Sequence, residues 1–175
     1  TAWVKREDAG KNNARLFDIG VKDVYFNLMF PSETSALMEI RPQSDSSSIR
    51  SVSAELPGYG EWVHIAAVYG DGATALYVNG ELAAENLDCT YTPSLFADTS
   101  NSSIGRSQYA GAPFYDPNFK GQIENFRIYN RVLTAEEIAA VKEENNQIGS
   151  GTVLATLKAA LDGIAIENLD DVTAD

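Results

Sequence analysis

From Trp3 to Tyr129 apolar residues alternate with polar ones in short runs divided by turn residues. A period of two in runs of this length predicts an antiparallel sandwich or barrel, and no helical period competes with it there. The runs predict strands at Ala2–Arg6, Arg15–Ile19, Val24–Phe30, Ala36–Arg41, Arg50–Glu55, Trp62–Tyr69, Ala73–Val78, Glu81–Ala84, Ser102–Arg106 and Gly121–Tyr129. The sharpest local signal is Leu76-Tyr77-Val78-Asn79-Gly80-Glu81-Leu82, because Asn-Gly supplies the two positive-φ residues of a type I′ hairpin turn. Gly70-Asp71-Gly72 marks a second reversal just before it, so three consecutive strands form a meander. Two long polar stretches, Gln43–Ser48 and Gly105–Lys120, interrupt the strands, and the second carries several aromatic residues.

After Asn130 the period changes. Leu133-Thr134-Ala135-Glu136-Glu137-Ile138 is a capping box, with Thr134 as N-cap, Glu137 three residues on, and Leu133 stapled to Ile138, so a short helix is expected to about Glu144. The sandwich is expected over 1–146 and a polar, glycine-bearing linker over 147–151. Beyond it Val153, Leu154, Leu157 and Leu161 fall on one helical face, and an acidic stretch follows to Asp175. The tail, 152–175, is too short for a core of its own and is expected to open a further domain.

Charge narrows the function classes. Thirteen basic and twenty-five acidic residues among 175 give a net charge of -12, which repels nucleic-acid backbones and anionic lipid alike. No apolar run is long enough to cross a bilayer, and the N-terminus lacks the basic-then-apolar pattern of a signal peptide, so a soluble, processed piece is expected. The lone Cys89 makes no intramolecular disulfide and reads as a buried thiol. His64, the only histidine, stands between Val63 and Ile65 and reads as a structural histidine with a fixed tautomer. Trp62 reads as a core or sheet-packing residue.

Glu61-Trp62-Val63-His64-Ile65-Ala66-Ala67-Val68-Tyr69, followed by Ala75-Leu76-Tyr77-Val78-Asn79-Gly80-Glu81-Leu82, resembles the laminin-G-like domains of the concanavalin A-like lectin/glucanase superfamily. Trp3-Val4-Lys5, Arg15-Leu16-Phe17-Asp18-Ile19-Gly20 and the stretch from Phe119 to Thr134 agree with it in order and spacing. The resemblance implies an all-β, two-sheet jelly roll, of a kind often appended to secreted bacterial glycoside hydrolases that act on plant polysaccharides. Family members open with a strand before the segment matching Trp3, so an exposed sheet edge is expected here. Ala160–Ile164 and Glu167–Val172 resemble the opening of a bacterial immunoglobulin-like repeat.

Glucanases of that superfamily carry Glu-x-Asp-x-x-Glu on one strand, and no Glu-x-Asp occurs in this chain, so the module is expected to be non-catalytic. Sugar recognition needs flat aromatic faces for C–H bonds and planar polar groups for hydroxyls. The best cluster is Arg106, Gln108, Tyr109, Phe114, Tyr115, Asp116 and Asn118 in the long loop, with Tyr59 at a loop rim and Arg41 beside the serine-rich loop. The competing reading is a loop whose aromatics pack over one end of the sandwich. Many laminin-G-like domains bind one Ca²⁺, and Glu124 occupies the place of a family ligand, so a structural calcium is a further expectation. The expected partner is an oligo- or polysaccharide, with neighbouring domains of the same polypeptide, and without nucleic acid or membrane insertion. The alternative is a structural spacer, docking or protein-adhesion domain of a cell-surface protein.

Overall fold

The structure is a computed structural model, and it describes residues 1–70, 72–89, 91 and 98–146. The expected 147–151 linker and the immunoglobulin-like tail at 152–175 lie outside the described residues, as does Asp71 of the second reversal. Among the described residues the strands are β1 (Ala2–Arg6), β2 (Ala14–Val21), β3 (Val24–Ser32), β4 (Ser35–Arg41), β5 (Arg50–Glu55), β6 (Trp62–Gly70), β7 (Ala73–Val78), β8 (Glu81–Asn86), β9 (Ser103–Ile104) and β10 (Gly121–Glu124). They form two antiparallel five-stranded sheets, ordered β10-β1-β6-β7-β8 and β5-β4-β3-β2-β9, a sandwich of the antiparallel kind that the alternation predicted and the two-sheet jelly roll that the resemblance implied. β1 is paired on both sides, by β6 and β10, so it presents no exposed edge.

One core fills the space between the sheets. Along β4 Ala36, Met38 and Ile40 are buried while Ser35, Leu37, Glu39 and Arg41 are not, the pattern of a strand with one face inward. Val4, Leu16, Leu28, Met38, Val63, Ile65 and Leu76 meet across the sandwich, each nearly or fully buried. Asn79 and Gly80 both adopt positive φ at the β7–β8 turn, as a type I′ hairpin demands.

Two predicted strands are shorter in the structure. Ser102–Arg106 contracts to Ser103–Ile104 because Gly105, at φ +74, turns the chain into the long loop. Gly121–Tyr129 stops at Glu124 because Asn125 takes φ +52 and breaks the ladder. Pairing resumes just beyond that kink, where the Thr1 amine donates to the Arg127 carbonyl at 2.8 Å and the Arg127 amide donates to that of Thr1 at 2.9 Å.

The helix α1 (Ala135–Asn146) covers part of the outer face of the first sheet. Ala66 of β6 joins Leu133, Ile138 and Val141 in a second, smaller core beneath it, which is the expected staple enlarged by two residues. The capping box is formed: the Thr134 amide donates to Glu137 Oε2 at 2.9 Å and the Glu137 amide donates to Thr134 Oγ1 at 3.3 Å. Thr134→Ala removes that cap and should lower folding stability by about 1 kcal/mol, read as a shift of the urea midpoint at unchanged slope.

Trp62 is half-buried and pairs with Lys5, on the face opposite Val63 and Ile65, so it serves the outer surface of its sheet and not the inter-sheet core. Cys89 is a buried free thiol, as its sequence context indicated. His64 is fully buried, yet neither ring nitrogen has a hydrogen-bond partner among the described residues. The structural role holds, but no bond fixes the tautomer.

Candidate functional site

The site is organised by an irregularity in β2. The β2–β3 register shifts between Arg15 and Phe17, which lets the consecutive residues Leu16 and Phe17 both enter the core and leaves Arg15 and Asp18 together on the outer face. Their charges are buried by the loop from Gly105 to Lys120, which folds back over that face. Arg15 Nη2 pairs with Asp116 Oδ2 at 3.2 Å, and its Nε lies 3.8 Å from Asp18 Oδ2. Gln108 donates to Asp18 twice, from its backbone amide and from Nε2, each at 3.0 Å. Burial pushes the Asp18 carboxyl above its ordinary value, while Gln108 and Arg15 oppose that shift.

Short bonds within the loop tighten this anchor. Ser107 Oγ donates to Asp116 Oδ2 at 2.9 Å and accepts from the Tyr109 amide at 3.0 Å. The Asp116 amide donates to the Tyr109 carbonyl at 3.1 Å. At the base the Gly105 amide donates to the Leu16 carbonyl, and the Phe119 amide closes onto that of Gly105.

A second anchor lies at the β2–β3 turn. The Tyr109 hydroxyl donates to Asp23 Oδ1 at 3.1 Å, and the same oxygen receives Arg41 Nη1 at 2.9 Å. The Tyr109 ring meets Tyr25 and Phe114 edge to face, with centroids 6.0 and 5.1 Å away. Gln108, Tyr109, Asp116 and Arg41, all candidates for ligand contact, therefore build the support of the loop, because their polar atoms already face protein partners. Arg41 also bonds the Ser44 carbonyl.

What the loop presents to solvent is its tip. Phe114 is 52% exposed and Tyr115 60%, and both follow a cis Ala112–Pro113 bond. Lys11, from the segment between β1 and β2, donates from Nζ to the Phe114 and Tyr115 carbonyls at 2.5 and 2.9 Å and lies 5.9 Å over the Tyr115 ring. Arg106 and Asn118 are exposed on the same loop. Tyr59, 38% exposed, lies over the Arg6 guanidinium and borders a small hollow that also holds Lys11 and Asn12.

Sequence reasoning missed the lysines at this tip, Lys11 and Lys22, and the buried Arg15 beneath it. Lys11 and Lys22 sit in polar turns where nothing local marks a ring contact 100 or so residues away along the chain. Arg15 stands in an apolar run, and that was the available signal, because a charge in such a run needs a buried partner.

Glu124, the expected calcium ligand, is an exposed carboxylate on β10, and among the described residues no three His, Cys, Asp or Glu side chains gather where they could hold a metal.

The two antiparallel five-stranded sheets form a jelly roll of the concanavalin A-like kind. Residues 1–139 match the family described as the concanavalin A-like lectin/glucanases superfamily, and the chain belongs to it. Human pentraxin-related protein PTX3 is 28% identical over 143 residues, which are 78% of this chain and 36% of that protein, so the chain spans about a third of this relative's length. The CBM40 of Ruminococcus gnavus IT-sialidase bound to α2,3-sialyllactose superposes with a TM-score of 0.68 at 21% identity, covering 81% of this chain and 79% of that one. Domain 4 of AbnA, an extracellular GH43 arabinanase from Geobacillus stearothermophilus, in complex with arabinotriose, gives 0.61 at 22% identity, covering 81% and 64%. At these identities the two structures share the fold. No helix among the described residues is long and apolar enough to cross a membrane.

Proposed function

We propose that the chain is a non-catalytic carbohydrate-binding module that holds a secreted bacterial glycoside hydrolase on plant polysaccharide, with the tip of the 105–118 loop as its contact surface. The observation that carries this reading is the exposed Phe114–Tyr115 pair, held out on a loop whose base is fixed by the buried Arg15, Asp18 and Asp116 charges. A rigid, exposed aromatic surface loses little entropy on stacking against a sugar ring, and the neighbouring Arg106 and Asn118 offer donors to hydroxyls. Sandwiches of this fold are known in complex with sialyllactose and with arabinotriose, which supports a saccharide as the ligand class.

The test is affinity electrophoresis against plant polysaccharides with titration calorimetry against arabinotriose and sialyllactose. Tyr115 has φ +53, so Tyr115→Asn is the suitable variant, since asparagine accepts that conformation and removes the ring. About a tenfold loss of affinity at unchanged thermal stability is expected. A folded domain that binds none of these saccharides would overturn the reading in favour of a spacer or docking domain.

A further inference from the structure

The tip carries more than aromatic surface. Lys22 Nζ lies 5.9 Å over the Tyr109 ring, Tyr109 abuts Phe114, and Lys11 lies 5.9 Å over the adjoining Tyr115. Two exposed ammonium groups thus each lie over a tyrosine ring of this loop, with Phe114 beside both tyrosines in space or in sequence. Neither has a carboxylate within ion-pairing distance among the described residues. Acidic groups of the neighbouring segments are already engaged: Asp23 by Arg41 and Tyr109, Asp116 by Arg15 and Ser107, Asp8 by the Gly10 amide, and Glu7, which shares the hollow with Lys11, by Lys120. Lys11 is moreover positioned, because the Phe114 and Tyr115 carbonyls take two of its three donors and leave the third free.

In a chain of net charge -12, uncompensated cations beside an exposed aromatic surface concentrate positive potential where a ligand would stack. We infer that the tip takes an acidic saccharide, its sugar carboxylate received by Lys11 or Lys22 while the ring lies on Phe114 and Tyr115. This rests on the carbohydrate-binding reading and sharpens its ligand class. The surrounding negative field adds a second selection: a polymer charged at every residue is repelled, whereas an oligosaccharide with one carboxylate meets the two lysines alone. The carboxylate could belong to a sialate or to a uronate cap, which share the chemistry.

Calorimetry on the full chain at low ionic strength would compare 3′-sialyllactose, a glucuronate-capped disaccharide, lactose, the methyl ester of sialyllactose, and polygalacturonate. At least one singly charged ligand should bind about fivefold to tenfold more tightly than lactose and the methyl ester, with the advantage shrinking as salt rises. Lys22→Met, and separately Lys11→Met, should reduce the ratio of charged-ligand affinity to lactose affinity. The single Lys22→Met variant is the safer of the two, since Lys22 holds no backbone group of the loop. Preference for the sialate or the uronate arm identifies the source. Equal affinity for charged and neutral ligands, or tightest binding to polygalacturonate, overturns this inference and leaves the carbohydrate-binding reading intact. Absence of binding to every ligand overturns both.

Discussion

Arg15→Met is expected to lower folding stability by about 3–5 kcal/mol, and to release the 105–118 loop before the sandwich itself melts. The size follows from what the substitution leaves behind. Asp18 is fully buried and Asp116 nearly so, and Arg15 is the one cation paired with both among the described residues. Removing it strands two carboxylates under the loop, and an uncompensated buried charge costs far more than a lost surface ion pair. Urea unfolding of the two proteins, with Tyr and Trp fluorescence as separate probes, measures the loss.

Adding Asp18→Asn to Arg15→Met should restore part of it, because asparagine Oδ1 still accepts from Gln108 and carries no charge. The pH dependence has a definite sign. The Asp18 carboxyl is already held above its ordinary value by burial, so its folded form binds a proton at higher pH than its unfolded form, and its contribution is lost as pH rises through that interval. Without Arg15 that value rises further. The gap between wild type and Arg15→Met should therefore be widest near neutrality and narrow as acid protonates Asp18. A gap of constant width from neutral to acid pH would show that Asp18 does not respond to Arg15.

The contrast between what was legible and what was not follows from range. Strand positions and the Asn79-Gly80 turn could be read because alternation and positive φ are local properties, and the Thr134 capping box needs only four consecutive residues. The site was legible by composition alone. The aromatics of Gly105–Lys120 were visible, but which of them face solvent depends on Arg15, Asp18 and Asp23, roughly 85 to 100 residues earlier in the chain. Tyr109 and Tyr115 look equivalent in sequence. One directs its hydroxyl into Asp23, and the other is turned outward by its positive φ and by Lys11. Arg41 likewise reads as a surface arginine until the β2–β3 turn brings Asp23 beside it. The same limit explains the shortened last strand, since nothing in Glu124-Asn125-Phe126 announces the left-handed Asn125 that ends it.

His64 should make the domain acid-sensitive, and its burial gives the window. Burial lowers its pKa from 6.5 to about 4, and the nearby Lys142 and Arg127 cations act in the same direction. Between those values an unfolded chain takes up a proton that the folded chain refuses, so the unfolded state gains and stability falls as pH drops through 6.5 toward 4. The interval corresponds to a loss of about 3 kcal/mol. No hydrogen bond to either ring nitrogen offsets this among the described residues, and the ring's contact is the edge-to-face pairing with Trp3 at 5.5 Å. His64→Phe keeps an aromatic ring against Trp3 and removes the titration. Its stability profile should therefore be flatter than wild type from pH 7 to pH 4, so that, whatever its absolute stability at pH 7, its stability relative to wild type rises as pH falls. Contributions from carboxylates are common to both proteins and cancel in the difference. Parallel profiles over that range would mean that the folded protein admits a proton to His64 as readily as the unfolded chain does.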